Sequence, residues 1–128
     1  MGSYRYRRAV RFDEVDAAGF VFFARIAALP HEALERWLDA AEHGLYARCL
    51  LQHRVGLPCV HLEADFRAPL RFGDEIAVEM RVDRFGETSV SFSIAIARGD
   101  GQICATISYV VACAALDGPT KQPLPHAL

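Results

Sequence analysis

One stretch constrains this chain more than any other: Asp13 to Trp37, D-E-V-D-A-A-G-F-V-F-F-A-R-I-A-A-L-P-H-E-A-L-E-R-W. It begins as a charged turn, passes Gly19 and becomes the longest helical pattern in the sequence. Apolar residues recur at 23, 26, 27, 30, 34, 37, 38, 41 and 45. Those steps of three and four predict one amphipathic helix from Phe23 to the neighbourhood of Gly44–Cys49. Phe23, Ile26, Ala27, Leu34, Trp37, Leu38 and Ala41 share its apolar face; Glu32, Glu35, Arg36, Asp39 and His43 occupy the other. Pro30 lacks the N–H that would bond the carbonyl of Ile26, which predicts a kink there. Gly44 is placed to cap the helix. An apolar stripe of this length must be covered by another layer.

The rest of the chain supplies the cover, because its hydrophobic period is two. Before the helix, Tyr4, Tyr6, Arg8, Val10 and Phe12 alternate with Arg5, Arg7, Ala9 and Arg11, a first strand with one wet, basic face. Beyond the loop Leu51–Pro58, Val60, Leu62, Ala64 and Phe66 alternate with His61, Glu63, Asp65 and Arg67. A turn at Pro69–Asp74 leads to Ile76, Val78, Met80 and Val82. The segment R-F-G-E-T leads to Val90, Phe92, Ile94 and Ile96, and Asp100-Gly101 is a hairpin turn before a last strand at 102–114. The tail 117–128, with three prolines, reads as irregular. Strand, long helix and four more strands in antiparallel succession make a two-layer α+β domain. With 128 residues, 52% of them hydrophobic, residues 1–128 are enough for one core and too few for two. One helix leaves part of a five-stranded sheet uncovered. Small residues on the last strands (Ser91, Ser93, Ala95, Ala97, Thr106, Ser108) permit close packing on the other face, so self-association is expected.

Composition removes several function classes. A net charge of −2 and a pI near 6.2 give no general attraction to nucleic acid or to an anionic membrane. The basic start, M-G-S-Y-R-Y-R-R, has no apolar region behind it, and Arg25 interrupts the most apolar run well short of membrane length. Cys49, Cys59, Cys104 and Cys113 form no C-x-x-C pair, and their apolar neighbours predict buried free thiols in a reducing cytosol. A cytoplasmic protein without metal or cofactor is the expectation. No P-loop, G-x-G-x-x-G, G-x-S-x-G or H-E-x-x-H is present, and the five histidines are scattered. What remains is the carboxylate trio Asp13, Glu14 and Asp16 beside a helix N-terminus. A solvated capping turn would explain it. The same free N–H groups also make an anion site, where a carbonyl oxygen can become an oxyanion.

At these residues the chain resembles a known family. D-E-V-D-A-A-G-F-V-F-F-A-R-I is similar to the D-x-D-x-x-G-x-V-x-x-x-x-Y signature of the 4-hydroxybenzoyl-CoA thioesterase family of hotdog-fold proteins. The likeness continues through H-L-E-A-D-F-R-A-P-L-R-F-G-D and R-F-G-E-T-S-V, about residues 5 to 115. The resemblance implies a long central helix wrapped by a five-stranded antiparallel sheet, dimerised edge to edge, so that a homodimer or a tetramer is expected. It implies an acyl-CoA thioesterase in which Asp16 is the catalytic carboxylate, as nucleophile or general base. The Phe23 backbone N–H would receive the thioester carbonyl. Gly19, Phe22, Phe23, Ile26, Pro30 and His31 would line the pocket for an aromatic or medium apolar acyl group. Arg84, Thr88 and Ser89 would hold CoA, from a second subunit, and acyl carrier protein is the alternative carrier. Members often have Tyr or His at Phe23 and an acid at His31. Two other readings stay open: a hotdog hydratase or dehydratase using His31, and a non-catalytic acyl-binding protein.

Overall fold

In the tertiary structure, a computed structural model that describes residues 2–118 and 123, the alternating segments pair into one antiparallel sheet. Strand β1 (Ser3–Ala9) passes through a 3-10 turn (Phe12–Glu14) and a loop into helix α1 (Phe23–Ala41). A short helix α2 (Leu45–Leu51) and β2 (Val55–Gly56) lead to β3 (Cys59–Phe66), β4 (Glu75–Phe85), β5 (Ser89–Arg98), β6 (Ile103–Ala112) and β7 (Ala114–Ala115). The sheet order is β1-β4-β5-β6-β3, and β2 and β7 pair separately. The sheet wraps α1, the hotdog arrangement that the family resemblance implies. Of the expected irregular tail, only 117, 118 and 123 are among the described residues.

Period-two patterning explains why the sheet has a dry face. Ile76, Val78 and Met80 on β4, and Val90, Phe92, Ile94 and Ile96 on β5, are buried in one cluster with Ile26, Leu29, Ala33 and Leu34 of α1. Their alternates, including Glu79, Arg81, Ser91 and Ser93, lie on the other face. Each large aliphatic side chain so buried contributes roughly 1.5–3 kcal/mol.

Two features of the helix differ from the sequence reading. It ends at Ala41. Gly44, at φ +74°, turns the chain in the left-handed region and starts α2, so the apolar period that persists to Leu45 belongs to a second helix. The buried stripe is rotated: Leu29 and Ala33 are buried, Phe23 and Ala41 are exposed, and Glu32 and Arg36 are half-buried rather than on the wet face. The cause is that α1 has a strand on each flank, β1 on the Glu32 side and β3 on the Phe23 side. Pro30 lies inside this one helix, with its ring buried.

On the β1 flank a polar clamp replaces apolar packing. Arg8 is in phase with Tyr6 on the inward side of β1, and its side chain is 8% exposed. Its guanidinium donates to both carboxylate oxygens of Glu14 (2.8 and 2.6 Å) and through Nε to Glu32 of α1 (2.9 Å). The Tyr6 hydroxyl donates to the same Glu32 oxygen at 2.5 Å, and the Arg36 guanidinium lies 4.1 Å over the Tyr6 ring. Burial works against the charged forms of Glu14 and Glu32. The Arg8 guanidinium, aided by the Arg11 N–H at Glu14 and the Tyr6 hydroxyl at Glu32, outweighs it and holds both carboxyls below their usual range.

Two expectations follow from this packing. Ala33 is fully enclosed under α1, so Ala33→Leu should cost about 1–3 kcal/mol in chemical denaturation. The exposed Ala41→Leu should change stability by less than about 0.5 kcal/mol. Equal effects would contradict the rotation of the stripe. Because the folded pKa values of Glu14 and Glu32 lie below the unfolded one, their contribution is complete above about pH 4.3 and is lost as pH falls through the folded values. Calorimetric Tm should therefore drop more steeply from pH 5 to pH 3 in the wild type than in a Glu14→Gln/Glu32→Gln variant. Parallel curves would show that the network carries no pH-linked stability.

Candidate active site

The charged turn and the helix start are separate elements brought together by backbone bonds. Val15 and Val21 form an isolated antiparallel bridge. Inside it the Asp16 N–H donates to the Phe20 carbonyl (2.8 Å), and the Gly19 N–H donates to the Asp16 carbonyl (3.0 Å). Gly19 sits at φ +84°, and a Cβ there would meet nothing within 4 Å. The need for glycine is conformational, not steric. The loop is docked on the turn after β3 by Val21 N–H to Leu70 (2.8 Å) and Phe72 N–H to Gly19 (2.9 Å). The Arg71 guanidinium lies 5.1 Å over the Phe20 ring.

Within this loop Asp16 uses one carboxylate oxygen as a strut. Oδ1 accepts the N–H groups of Ala18 (2.9 Å) and Phe20 (3.1 Å), the local bonding that aspartate favours in turns. Among the described residues Oδ2 has no hydrogen-bond partner, and the residue is exposed. The other two carboxylates of the trio have different fates. Glu14 is consumed by Arg8, with its side chain 11% exposed, and Asp13 lies exposed on the 3-10 turn.

Helix α1 begins immediately beyond. Its N-cap, Phe22, is extended and offers no side-chain cap. The Phe22 N–H goes back to the Glu14 carbonyl (3.0 Å), and the Arg25 N–H to that of Phe22 (2.8 Å). The N–H groups of Phe23 and Ala24 have no intrahelical partner by geometry, and the positive end of the helix dipole lies there. Around this mouth Phe22 and Phe23 touch at 4.9 Å between ring centroids, and Phe66 meets Phe23 edge-on at 6.5 Å. Phe23 and Phe66 are 61% and 51% exposed, unusual for packed aromatics.

The other residues singled out in the sequence divide. Gly19 is half-buried in the loop, while Ile26 and Pro30 lie in the core beneath the helix. His31 is on the Phe23 flank, about 80° round at ~100° per residue. Its Nε2 bonds Glu35 (2.7 Å), with the Tyr46 ring 5.8 Å away. Arg84, Thr88 and Ser89 are at the far end of the sheet. Phe85, Val90, Val111 and Cys59 form one row across it, and Val78, Ile96, Ala105 and Phe66 another. Seven residues of strand separate these rows on β4, roughly 23 Å at about 3.3 Å per residue. Thus Asp16 and these three residues do not meet within one chain. Sequence reasoning missed Arg8, Glu32 and Phe66; the signal for Arg8 was its phase with Tyr6 on the inward side of β1.

Among the described residues no group of three or more His, Cys, Asp or Glu side chains could hold a metal, and no helix is long and apolar enough to cross a membrane. Cys49, Cys104 and Cys113 are buried as their apolar neighbours predict, whereas Cys59, on the edge strand β3, is exposed; burial pushes the thiols of Cys49 and Cys104 up, so neither is an activated thiolate.

The sequence matches the model of the thioesterase-like superfamily over residues 10–128. It is 33% identical over 132 residues to 1,4-dihydroxy-2-naphthoyl-CoA hydrolase of Synechococcus elongatus, covering 100% of this chain and 93% of that protein. The fold is similar to that of a 1,4-dihydroxy-2-naphthoyl-CoA thioesterase from Synechocystis, with TM-score 0.89, 28% identity, and 98% of this chain and 92% of that one covered. A 4-hydroxybenzoyl-CoA thioesterase variant in complex with 4-hydroxybenzoyl-CoA shares the fold at TM-score 0.86, 16% identity, and 97% and 94% coverage. This chain belongs to the thioesterase-like superfamily and is a thioester hydrolase of the hotdog fold.

Proposed function

We propose that the chain hydrolyses an aromatic acyl-CoA to the free acid and CoA, with 1,4-dihydroxy-2-naphthoyl-CoA as its substrate. The observation that carries this reading is the half-anchored carboxylate of Asp16 beside an uncapped helix N-terminus ringed by Phe22, Phe23 and Phe66. The names of its relatives support the acyl group. Oδ2 of Asp16 either attacks the thioester carbonyl carbon, giving an anhydride that water then opens, or takes a proton from the attacking water. In both routes the carbonyl oxygen becomes an oxyanion at the Phe23 N–H, where one such donor is worth on the order of 3 kcal/mol. The C–S bond breaks and CoA leaves as a thiolate, which needs no strong acid. Gly19, Phe22 and Phe23 wall the ring site, the buried Ile26 and Pro30 support it from the core rather than line it, and His31 meets a hydroxyl at the distal edge. A hydratase would need an imidazole against the carboxylate, whereas His31 is engaged with Glu35 two turns along the helix. The buried thiols of Cys49 and Cys104 fit a reducing cytosol.

The site is shared between two subunits in this reading. Edge strand β3 carries Val60, Leu62 and Phe66 exposed, and nothing among the described residues pairs its outer edge. Antiparallel pairing of two β3 edges about a two-fold axis brings the Cys59 end of one sheet beside the Phe66 end of the other. Ser89 of the second subunit, two strands in from that edge, is then three strand spacings from the first subunit's β3, about 14 Å at about 4.8 Å per strand. Arg84, Thr88 and Ser89 are thereby available to the CoA moiety.

Thiol release from 1,4-dihydroxy-2-naphthoyl-, 4-hydroxybenzoyl-, benzoyl- and octanoyl-CoA tests the substrate class, and the dihydroxynaphthoyl ester should show the highest kcat/KM. Asp16→Asn should lower kcat at least about 100-fold, and Asp13→Asn far less; a near-wild-type rate from the Asp16 variant would remove its catalytic role. His31→Leu should erode preference for hydroxylated over plain rings, and an unchanged ranking would make it a boundary residue. Co-refolding Asp16→Asn chains with Arg84→Glu/Ser89→Trp chains should restore activity through mixed dimers. A fully active monomer by light scattering would refute shared sites.

A further inference from the structure

We propose that Arg8 is a positioning residue for this reaction, setting the placement of the Asp16 carboxylate against the first N–H groups of α1. The inference rests on the Asp16 assignment above. Asp16 and Phe23 belong to different elements, and hydrolysis requires both within reach of one carbonyl group. The bonds from Ala18, Gly19 and Phe20 fix the internal shape of the Asp16 loop but not its position relative to the helix. That position is set through Glu14, two residues upstream. The Glu14 carbonyl accepts the Phe22 N–H at the helix start, and its side chain is gripped at both oxygens by Arg8 (2.8 and 2.6 Å). The same guanidinium reaches Glu32, nine residues into α1, through Nε at 2.9 Å, and binds the Ala9 carbonyl of its own strand at 2.9 Å. One planar cation thus ties sheet, loop and helix together.

The chemistry of the group matters. Five N–H donors in a rigid plane can satisfy two carboxylates and a carbonyl at once, which a lysine ammonium cannot do in the same geometry. Burial of the Arg8 and Glu14 side chains keeps solvent and salt from screening the contact. A buried ion pair of this kind adds little net stability over well-packed apolar groups, while it does define one geometry. Glu32 is held independently by the Tyr6 hydroxyl (2.5 Å) and by Arg11 (3.2 Å), so the helix end of the clamp is itself fixed.

The experiment measures kcat and KM for 1,4-dihydroxy-2-naphthoyl-CoA in Arg8→Lys, Arg8→Ala and Glu32→Gln, each alone and combined with Asp16→Asn, with folding checked by circular dichroism. Arg8→Lys should lower kcat about 10- to 100-fold, the cost of misplacing a reacting group by about an ångström, with KM within about twofold. In the Asp16→Asn background the same change should cost less than about twofold, because no carboxylate remains to be positioned. Guanidinium ion at tens of millimolar should restore part of the kcat of Arg8→Ala, and sodium chloride at equal ionic strength should not. If neither Arg8 variant folds, Glu32→Gln, which keeps the shape and the Arg8–Glu14 pair, carries the test with an expected fall in kcat of about three- to tenfold. An unchanged kcat in the folded variants, a loss confined to KM, or an equal loss in the Asp16→Asn background overturns the inference. An active Asp16→Asn single variant would instead overturn the Asp16 assignment itself, which separates the two failures.

Discussion

Everything in this molecule depends on burying one side of α1 against the dry face of β4, β5 and β6. The helix contains a proline at its eighth position and has no side-chain N-cap, so its local propensity is modest. Its stability comes instead from Ile26, Leu29 and Leu34, each of which gains about 1.5–3 kcal/mol from leaving water. That burial sets the helix rotation, and the rotation gives the two flanks different chemistry. Towards β1 lie Glu32 and Arg36, drawn into the ion network around Arg8. Towards β3 lie Phe23, Ala27 and His31, next to Phe66 and the open edge of the sheet.

A thioester asks little of a protein, since the thiolate is a good leaving group. One carboxylate and one oxyanion site would be enough, and in this chain Asp16 and the uncapped start of α1 meet at the junction of a tight turn and a helix. The aspartate does two jobs with two oxygens: Oδ1 closes the turn, and Oδ2 remains available. Glu14, only two residues away, is spent wholly on structure. Proximity in sequence therefore does not imply similarity of role; the partner each carboxylate meets decides it. Burial beside Arg8 makes Glu14 a fixed anion, whereas Asp16 lies exposed beside an uncapped helix.

The far placement of Arg84, Thr88 and Ser89 gives the open edge of β3 a physical meaning. A row-to-row distance of roughly 23 Å along the strands separates those residues from the Asp16 end in a single chain. Antiparallel pairing of two sheets cancels that separation, because each far end then lies beside a near end. The exposed aromatics at the helix mouth and the unpaired β3 edge lie on that same side of the molecule.

Residue patterning alone determined the element types, the α+β class, the antiparallel succession of strands and the importance of the stretch from Asp13 to Trp37. It could do so because periods of two and of 3.6 are local properties of the backbone. The role proposed for Asp16 came only from the resemblance of its motif, since spacing by itself could not tell a reactive carboxylate from a capping one. Tertiary structure decided the rest. It split the helix at Gly44, because a single positive φ redirects the chain at no cost to the apolar period. It turned the buried stripe towards Leu29 and Ala33, because the strands on each flank, not helix periodicity, choose which residues face inward. It joined Arg8, Glu14 and Glu32, far apart in sequence, because a guanidinium in the interior must find carboxylates wherever the fold brings them.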